Sequence, residues 1–370
     1  MLRECAEDAE RERHLPEHAA EAMARAGLNR IAAPSRIGGA ECTPAKQIEI
    51  IETISGADGS AGWNLMIGIE IMGAIGAAYP SEIAEKLFSD PALIVSGALN
   101  PLGVAIPVAG GFRVTGQWPF ASGCHNAHYF WGQCQVRDED GNPLDDGTAP
   151  LREALVSRDD FEILDTWNVS GLRGSGSHDV VVRDVFVPEE NMTAVLFSPP
   201  LDSGTLFRLP PFSRLAYNKV GVSTGIARAA IDHFIELAGS HRRRMSGVPL
   251  RERPDVQRNV AAAETALRSG RAFVLDAVGD LWETVDAGSE PSHEQRALVH
   301  LACSNAASSS VRAVDLVCEV AGPAANLVSN PLERCRRDVR VIPQHITVAS
   351  QWNDAAARIL LGMDSDSFLF

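Results

Sequence analysis

The chain has 370 residues, 45% of them hydrophobic and 22% charged, with a formal net charge of −15. A chain of this length buries a large core and divides into two or three structural units. Its acidic balance argues against non-specific binding to nucleic acid or to an anionic membrane surface. The seven cysteines (Cys5, Cys42, Cys124, Cys134, Cys303, Cys318 and Cys335) are scattered without a CxxC pair. That is the pattern of free thiols in a reducing compartment. The opening MLRECAEDAERERH lacks the apolar core of a secretory signal, so the expectation is a cytoplasmic protein.

Residues up to about 98 read as helical. Pro16 to Ala26 is rich in Ala and Glu and is closed by Gly27, where a residue just past a helix C-terminus stands. After the loop APSRIGGAE, Thr43 to Ile54 repeats apolar residues at helical spacing, and Asp58 or Ser60 caps the next helix. The stretch Gly62 to Tyr79 is long and apolar, but Glu70 interrupts it and Gly and Ala dominate it. It is expected to be a buried helix rather than a membrane span. Pro80 and Ser81 then open another amphipathic turn.

From Ala98 to about Leu206 the character changes. β-branched residues and short alternating runs dominate: GGFRVTGQWPF, YFWGQCQV, FEIL and VVVRDVFV. The DGN triplet at Asp140 to Asn142 is a turn signal between strand-like runs. The expectation is a β-domain folded as a compact barrel. From Pro211 onward the chain is helical again, with periodic segments at Leu215–Ser240, Asp255–Val285, His293–Ala321 and Thr347–Leu361. Four such segments predict a four-helix bundle. The predicted division is a helical domain over 1–98, a β-domain over 99–206 and a helical domain over 207–370.

The stretch Asp165 to Pro188 reads DTWNVSGLRGSGSHDVVVRDVFVP. Trp167 leads into a turn with Gly171, Gly174 and Gly176, and an alternating apolar run from Val180 to Val187 follows, stopped by Pro188. Glycines allow backbone conformations closed to other residues and close approach to a ligand. A GxGxxG nucleotide loop opens a helix, whereas a strand follows here, so a Rossmann reading is poor. A hairpin turn within a β-domain fits these residues equally well on their own. The order of Trp, GLRGSGSHD and VFVP, however, closely resembles the flavin-binding β-domain of the acyl-CoA dehydrogenase superfamily. Within it, the likeness is to the branch of flavin-dependent monooxygenases that hydroxylate aromatic compounds. The resemblance implies an α+β fold: an N-terminal helical domain, a central β-barrel and a C-terminal four-helix bundle.

The resemblance also places residues. The segment Gly116 to Gln133, GQWPFASGCHNAHYFWGQ, reads on its own as a strand and turn with ordinary aromatic packing. By the resemblance, Phe120 packs near the isoalloxazine and Ser122 hydrogen-bonds its N5 edge, where a hydroxyl serves as donor or acceptor. Asn100 and Gly103, in ALNPLGVA, sit where the family wraps a loop around the ring. In the basic run His241 to Arg244, Arg243 takes the place of an arginine that reaches the flavin phosphate of a neighbouring subunit; the branch forms tetramers, so the resemblance implies a homotetramer. Two positions depart from the family. Ser246 stands where a phenylalanine is usual, and Glu319 with Gly322-Pro323 stands where dehydrogenases carry a glutamine and paired glycines. A carboxylate near a phosphate is repulsive, so the reduced cofactor is FMNH2 or FADH2, both left open.

The segment RCRRDVRVIPQHITVASQW, Arg334 to Trp352, carries a further departure. Acyl-CoA dehydrogenases place a glutamate there as the base that removes an α-proton. That position falls on Ile346, which cannot accept a proton, and a glutamate in its place is expected to put a carboxylate in an apolar site. Beside it stands His345, where the aromatic hydroxylases carry a histidine. An imidazole titrates near neutrality; it could accept a phenolic proton or stabilise the flavin hydroperoxide. Arg337 and Asp338 are expected to form an ion pair that holds this segment. His125 and His128 flank the Ser122 loop, and one of them is expected to line a substrate pocket; HNAH has no metal partner at recognisable spacing, so no metal site is expected. Trp63 and Trp167 are expected to be core or pocket-wall residues.

The implied activity is that of the oxygenase component of a two-component flavin-dependent monooxygenase. Reduced flavin comes from a separate NAD(P)H:flavin reductase, O2 adds at C4a, and the hydroperoxide passes one oxygen to an aromatic or other electron-rich small molecule. Two alternatives of the same fold stand beside it: a dehydrogenase or oxidase with its base supplied elsewhere, and a non-catalytic flavin-binding protein.

Overall fold

In a computed structural model, the structure describes every residue except 145–148, 241–247 and 368–370. The helices are α1 (Leu2–Glu12), α2 (Glu17–Arg25), α3 (Pro44–Ser55), α4 (Gly59–Ala78), α5 (Ser81–Leu87), α6 (Thr205–Arg208), α7 (Pro211–Ser240), α8 (Pro254–Asp286), α9 (His293–Ala321), α10 (Pro331–Val339) and α11 (Gln351–Leu360). The strands are β1 (Val95–Val108), β2 (Gly111–Trp118), β3 (Tyr129–Val136), β4 (Leu151–Ser157), β5 (Glu162–Leu164), β6 (Asp179–Pro188) and β7 (Met192–Thr193). The chain forms two compact units. One joins Met1–Cys42, Asn64–Val169 and Arg173–Arg208; the other joins Thr43–Trp63, Ser170–Leu172 and Leu209–Phe370.

In the first unit, the strands among the described residues make a seven-stranded sheet in the order β5-β6-β2-β1-β3-β4-β7. β1 and β3 run parallel and the other pairs antiparallel, so the sheet is mixed. The β-domain expected from the sequence is therefore observed as a mixed sheet with β5 and β7 at its edges. Trp118, Phe130, Val114, Val180 and Val182 fill one core against it. A second core packs Met72, Ile75, Tyr79, Phe88 and Leu93 on Trp131 and Leu155. This is where most of α4 goes: 72% of its apolar stretch is buried, which is how a core helix satisfies such a composition.

β1 is irregular at one place. Its pairing with β3 jumps from Ala98–Gly132 to Gly103–Cys134, so residues 99 to 102 stand against Gln133 alone. Leu99 and Leu102 are exposed on this bulge, and bulges of this kind re-aim side chains at the rims of sheets and beside active sites. Gly103 restores the pairing, and it must be glycine: a Cβ there would collide with the Trp118 ring and the Cys134 Sγ.

In the second unit, α9 packs against α7, α8, α10 and α11, and α3 packs against α7. Glu52 of α3 ties this unit together, accepting from Arg271 of α8 at 2.7 and 2.9 Å and from Thr224 of α7 at 2.8 Å. Asp58 caps α4 by accepting the Ala61 N–H at 2.8 Å. Three of the four predicted helical segments become the long helices α7, α8 and α9. The fourth starts later than Thr347, at Gln351, after a turn in which the Thr347 N–H is taken by the ring of His345.

Candidate active site

The Ser122 loop leaves the end of β2 in the first unit. Phe120 has φ +62°, a left-handed conformation that costs a non-glycine residue about 1–3 kcal/mol unless its surroundings enforce it. The glycine-rich turn supplies that enforcement. Ala121 N–H donates to the His178 carbonyl at 3.0 Å, and Gly123 N–H donates to the Ser175 carbonyl at 2.9 Å. Cys124 Sγ donates to the Gly176 carbonyl at 3.4 Å. The two segments the sequence singled out are thus clamped edge to edge.

Two side chains emerge from the clamp with opposite character. Phe120 stands 68% exposed, with its ring edge-on to Trp167 at 6.2 Å. Ser122 is 5% exposed, and its hydroxyl meets that of Ser177 at 2.8 Å. Under the loop lies a cavity of about 30 Å³ lined by Asn64, Leu65, Ile94, Ser122, Gly123 and Asn126, room for about two waters. The Asn64 Oδ1 is buried with no hydrogen-bond partner among the described residues. An exposed aromatic face beside a hydroxyl fits a planar heteroaromatic ring with a polar edge, as a flavin is, while the buried Asn64 acceptor faces a space of water size. Asn100 sits exposed on the β1 bulge, and Gly103 is buried beneath it.

Around the same loop, His125 stacks on His14 at 4.4 Å and meets His178 edge-on at 4.8 Å. Burial, with His14 and His178 beside it, pushes its pKa down to about 4. His178 accepts the Trp167 N–H at 3.2 Å, so it belongs to the turn. His128 points to backbone, accepting the Ile94 N–H at 3.2 Å.

His345 lies in the second unit, after α10 and the short turn Ile342–Gln344. Its Nδ1 accepts the Thr347 N–H at 3.3 Å and lies 3.0 Å from the Thr347 hydroxyl. That hydroxyl also donates to the Leu215 carbonyl at 3.3 Å. A backbone N–H cannot rotate away, so Nδ1 is the acceptor and the ring proton sits on Nε2. Burial, together with the positive charge of Lys219, pushes the imidazole pKa down to about 3. Lys219 is itself 1% exposed. Trp63, buried, closes one side of His345 with its ring edge-on at 5.6 Å.

Ile346 does not occupy an apolar core, contrary to expectation: its side chain is 52% exposed, and its carbonyl accepts from the Trp352 indole at 2.7 Å. Arg337 and Asp338 both hold this segment. Arg337 pairs with Glu333 at 2.7 Å and donates to the Ser170 carbonyl, while Asp338 accepts the Leu172 N–H at 2.6 Å. Both therefore pin residues 170–172 of the glycine-rich turn to α10. Glu319 accepts from Asn259 at 3.4 Å. Arg243 and Ser246 lie outside the described residues.

Sequence reasoning missed Ser175, Ser177, Thr347, Lys219 and Asn64. Ser175 and Ser177 were visible as the alternating serines of GSGS, and Thr347 as the hydroxyl two residues beyond His345. Lys219 did not stand out, since α7 also carries Arg214 and Arg228. Asn64, next to Trp63, carried no signal of its own.

Comparison with known proteins bears on the family of the chain. The family model described as acyl-CoA dehydrogenase, N-terminal domain matches residues 1–86, and that described as acyl-CoA dehydrogenase, C-terminal domain matches residues 219–350. The chain is 36% identical to an indole-3-acetate monooxygenase of Pseudomonas putida, over 91% of this chain and 84% of that protein. It is 27% identical to the oxygenase subunit HsaA of a flavin-dependent monooxygenase of Mycobacterium tuberculosis, over 91% and 86% of the two chains. The structure of XiaF from a Streptomyces species, in complex with FADH2 and glycerol, superposes with a TM-score of 0.90 at 22% identity, covering 99% of this chain and 93% of that one, which shows the shared fold. The chain therefore belongs to the acyl-CoA dehydrogenase superfamily, in its branch of flavin-dependent monooxygenases.

Proposed function

We propose that this chain is the oxygenase component that binds reduced flavin delivered by a separate NAD(P)H:flavin reductase and hydroxylates an aromatic or other electron-rich small molecule. The observation that carries this reading is a neutral, half-buried imidazole, His345, beside the position, Ile346, where the dehydrogenase chemistry needs a carboxylate. Reduced flavin supplies the electrons that activate O2. Phe120 and Trp167 give the ring an apolar wall, and Ser122 holds its polar edge. Asn100 on the β1 bulge contributes to the same binding surface, with Gly103 beneath it letting the bulge close on the sheet. His345 presents its Nε2 proton toward oxygen or substrate, with Thr347 fixing the ring's orientation. Trp63, beside His345, and His125, beside the Ser122 loop, are each read as pocket-wall residues, while His128 is held by backbone. FMN and FAD both fit this description. The chain is further read as a cytoplasmic homotetramer in which Arg243 reaches a neighbour's flavin phosphate, with a compact barrel and a four-helix bundle as the finer form of its fold.

The test is isotopic. Purified protein given chemically reduced flavin, a phenol or an indole, and labelled O2 should place one labelled oxygen atom in the product. Product oxygen derived from water, or no oxygenated product with any electron-rich aromatic, would overturn the reading.

A further inference from the structure

Behind Ser122 the hydroxyls continue. Ser122 Oγ lies 2.8 Å from Ser177 Oγ, which lies 2.7 Å from Ser175 Oγ. The three residues are 5%, 4% and 1% exposed. We propose that Ser177 and Ser175 are positioning residues that set the sense of the Ser122 hydroxyl, forming a chain that reverses with the oxidation state of the bound flavin. This rests on the flavin reading above.

Each hydroxyl both donates and accepts, so a row of three can point its protons inward or outward at similar cost. The N5 edge of a flavin accepts a hydrogen bond when oxidised and bears a hydrogen when reduced. Facing the reduced ring, Ser122 has to accept, and its own proton then turns inward onto Ser177. Facing the oxidised ring, Ser122 donates, and the row runs the other way. A rigid backbone donor in place of Ser122 could serve one state only. The clamp between residues 120–124 and 175–178 keeps the row in register, because it fixes the backbones on both sides.

The asymmetry gives a sign. Removing the Ser177 hydroxyl takes away the inward acceptor that the reduced-state arrangement uses, while the oxidised-state arrangement keeps its donor. A buried donor deprived of its acceptor costs more than an acceptor left idle. Ser177→Ala should therefore weaken binding of reduced flavin about tenfold relative to oxidised flavin. The midpoint potential of the bound flavin should fall by about 30 mV, the two-electron equivalent of that factor.

The experiment titrates wild type, Ser177→Ala, Ser177→Thr and Ser175→Ala with oxidised flavin in air and with reduced flavin under anaerobic conditions, and measures the potential of each complex. The expected result is a lowered preference for reduced flavin in Ser177→Ala, a smaller change in the same direction in Ser175→Ala, and recovery in Ser177→Thr. Equal weakening of both oxidation states would overturn the proposal and leave Ser177 as a clamp only. If Ser177→Ala fails to fold, an unchanged ratio in Ser175→Ala overturns the proposal by itself. A wild-type protein that binds neither state would overturn the flavin reading, and the role of the chain with it.

Discussion

The backbone N–H of Thr347 donates to Nδ1 of His345 at 3.3 Å, and this contact sets which ring nitrogen carries the proton. With Nδ1 occupied as an acceptor and its pKa pushed down to about 3 by burial and Lys219, the ring is neutral near pH 7 and offers Nε2–H. His345→Ala is expected to slow product formation by roughly 10²–10⁴-fold, the range for a lost acid–base group. His345→Gln keeps an N–H near the Nε2 position and is expected to recover about tenfold over alanine. Steady-state product formation with reduced flavin checks both; full activity in His345→Ala would make the imidazole structural.

Ser122→Ala is expected to fold normally and to uncouple the reaction. Loss of one hydrogen bond at the reacting edge costs about 1–3 kcal/mol, so more of the O2 consumed should leave as hydrogen peroxide. The readout is peroxide released per O2 taken up. An unchanged ratio removes Ser122 from the chemistry.

Much of this layout was legible in the sequence, and the reasons are local. Helix starts and stops depend on neighbouring residues: Asp58 caps α4 and Gly27 ends the first predicted helix at φ +76°. The strand from Val180 to Val187 followed from its alternation. What escaped is non-local. Ser122 and Ser177 stand 55 positions apart, and only the folded clamp brings them together. The exposure of Ile346 was misjudged because an isoleucine reads as a core residue, whereas here it stands half-exposed. Lys219 is buried by tertiary packing that a single helix pattern does not show.

Acid should destabilise the protein through His300. It is buried, stacked on Trp352 at 3.8 Å, and burial lowers its pKa from 6.5 to about 4. Between those values the unfolded chain binds a proton that the folded chain does not, so unfolding free energy falls as pH drops through that window. Calorimetry from pH 7 to 4 should show a falling Tm, and His300→Phe should flatten the slope. An identical slope in the variant would assign the acid sensitivity to other groups.

The glycine-rich turn can be tested without touching chemistry. A Cβ at Gly171 would collide with the Arg337 carbonyl, so Gly171→Ala is expected to cost about 1–3 kcal/mol. Gly239, in α7 with open space around it, is the control: its change to alanine should be neutral or slightly stabilising, by up to about 1 kcal/mol. Thermal melts of the two variants compare them directly, and equal melting temperatures would contradict the packing of residues 170–172 on α10.

Ile346→Glu puts a carboxylate at a half-exposed position, so its effect on stability should stay within about 0.5 kcal/mol. It should not create a dehydrogenase, since a base alone does not build a thioester pocket. Anaerobic mixing with oxidised flavin and an acyl-CoA should leave the flavin colour unchanged; bleaching would show that the older chemistry needs only this residue.

The most direct measurement is O2 uptake by the purified protein. With reduced flavin supplied and a phenol or indole present, uptake should be matched by oxygenated product, and neither NADH nor NADPH should reduce flavin in the absence of a reductase. Flavin reduction by acyl-CoA or by a nicotinamide cofactor in the protein alone would contradict the assignment.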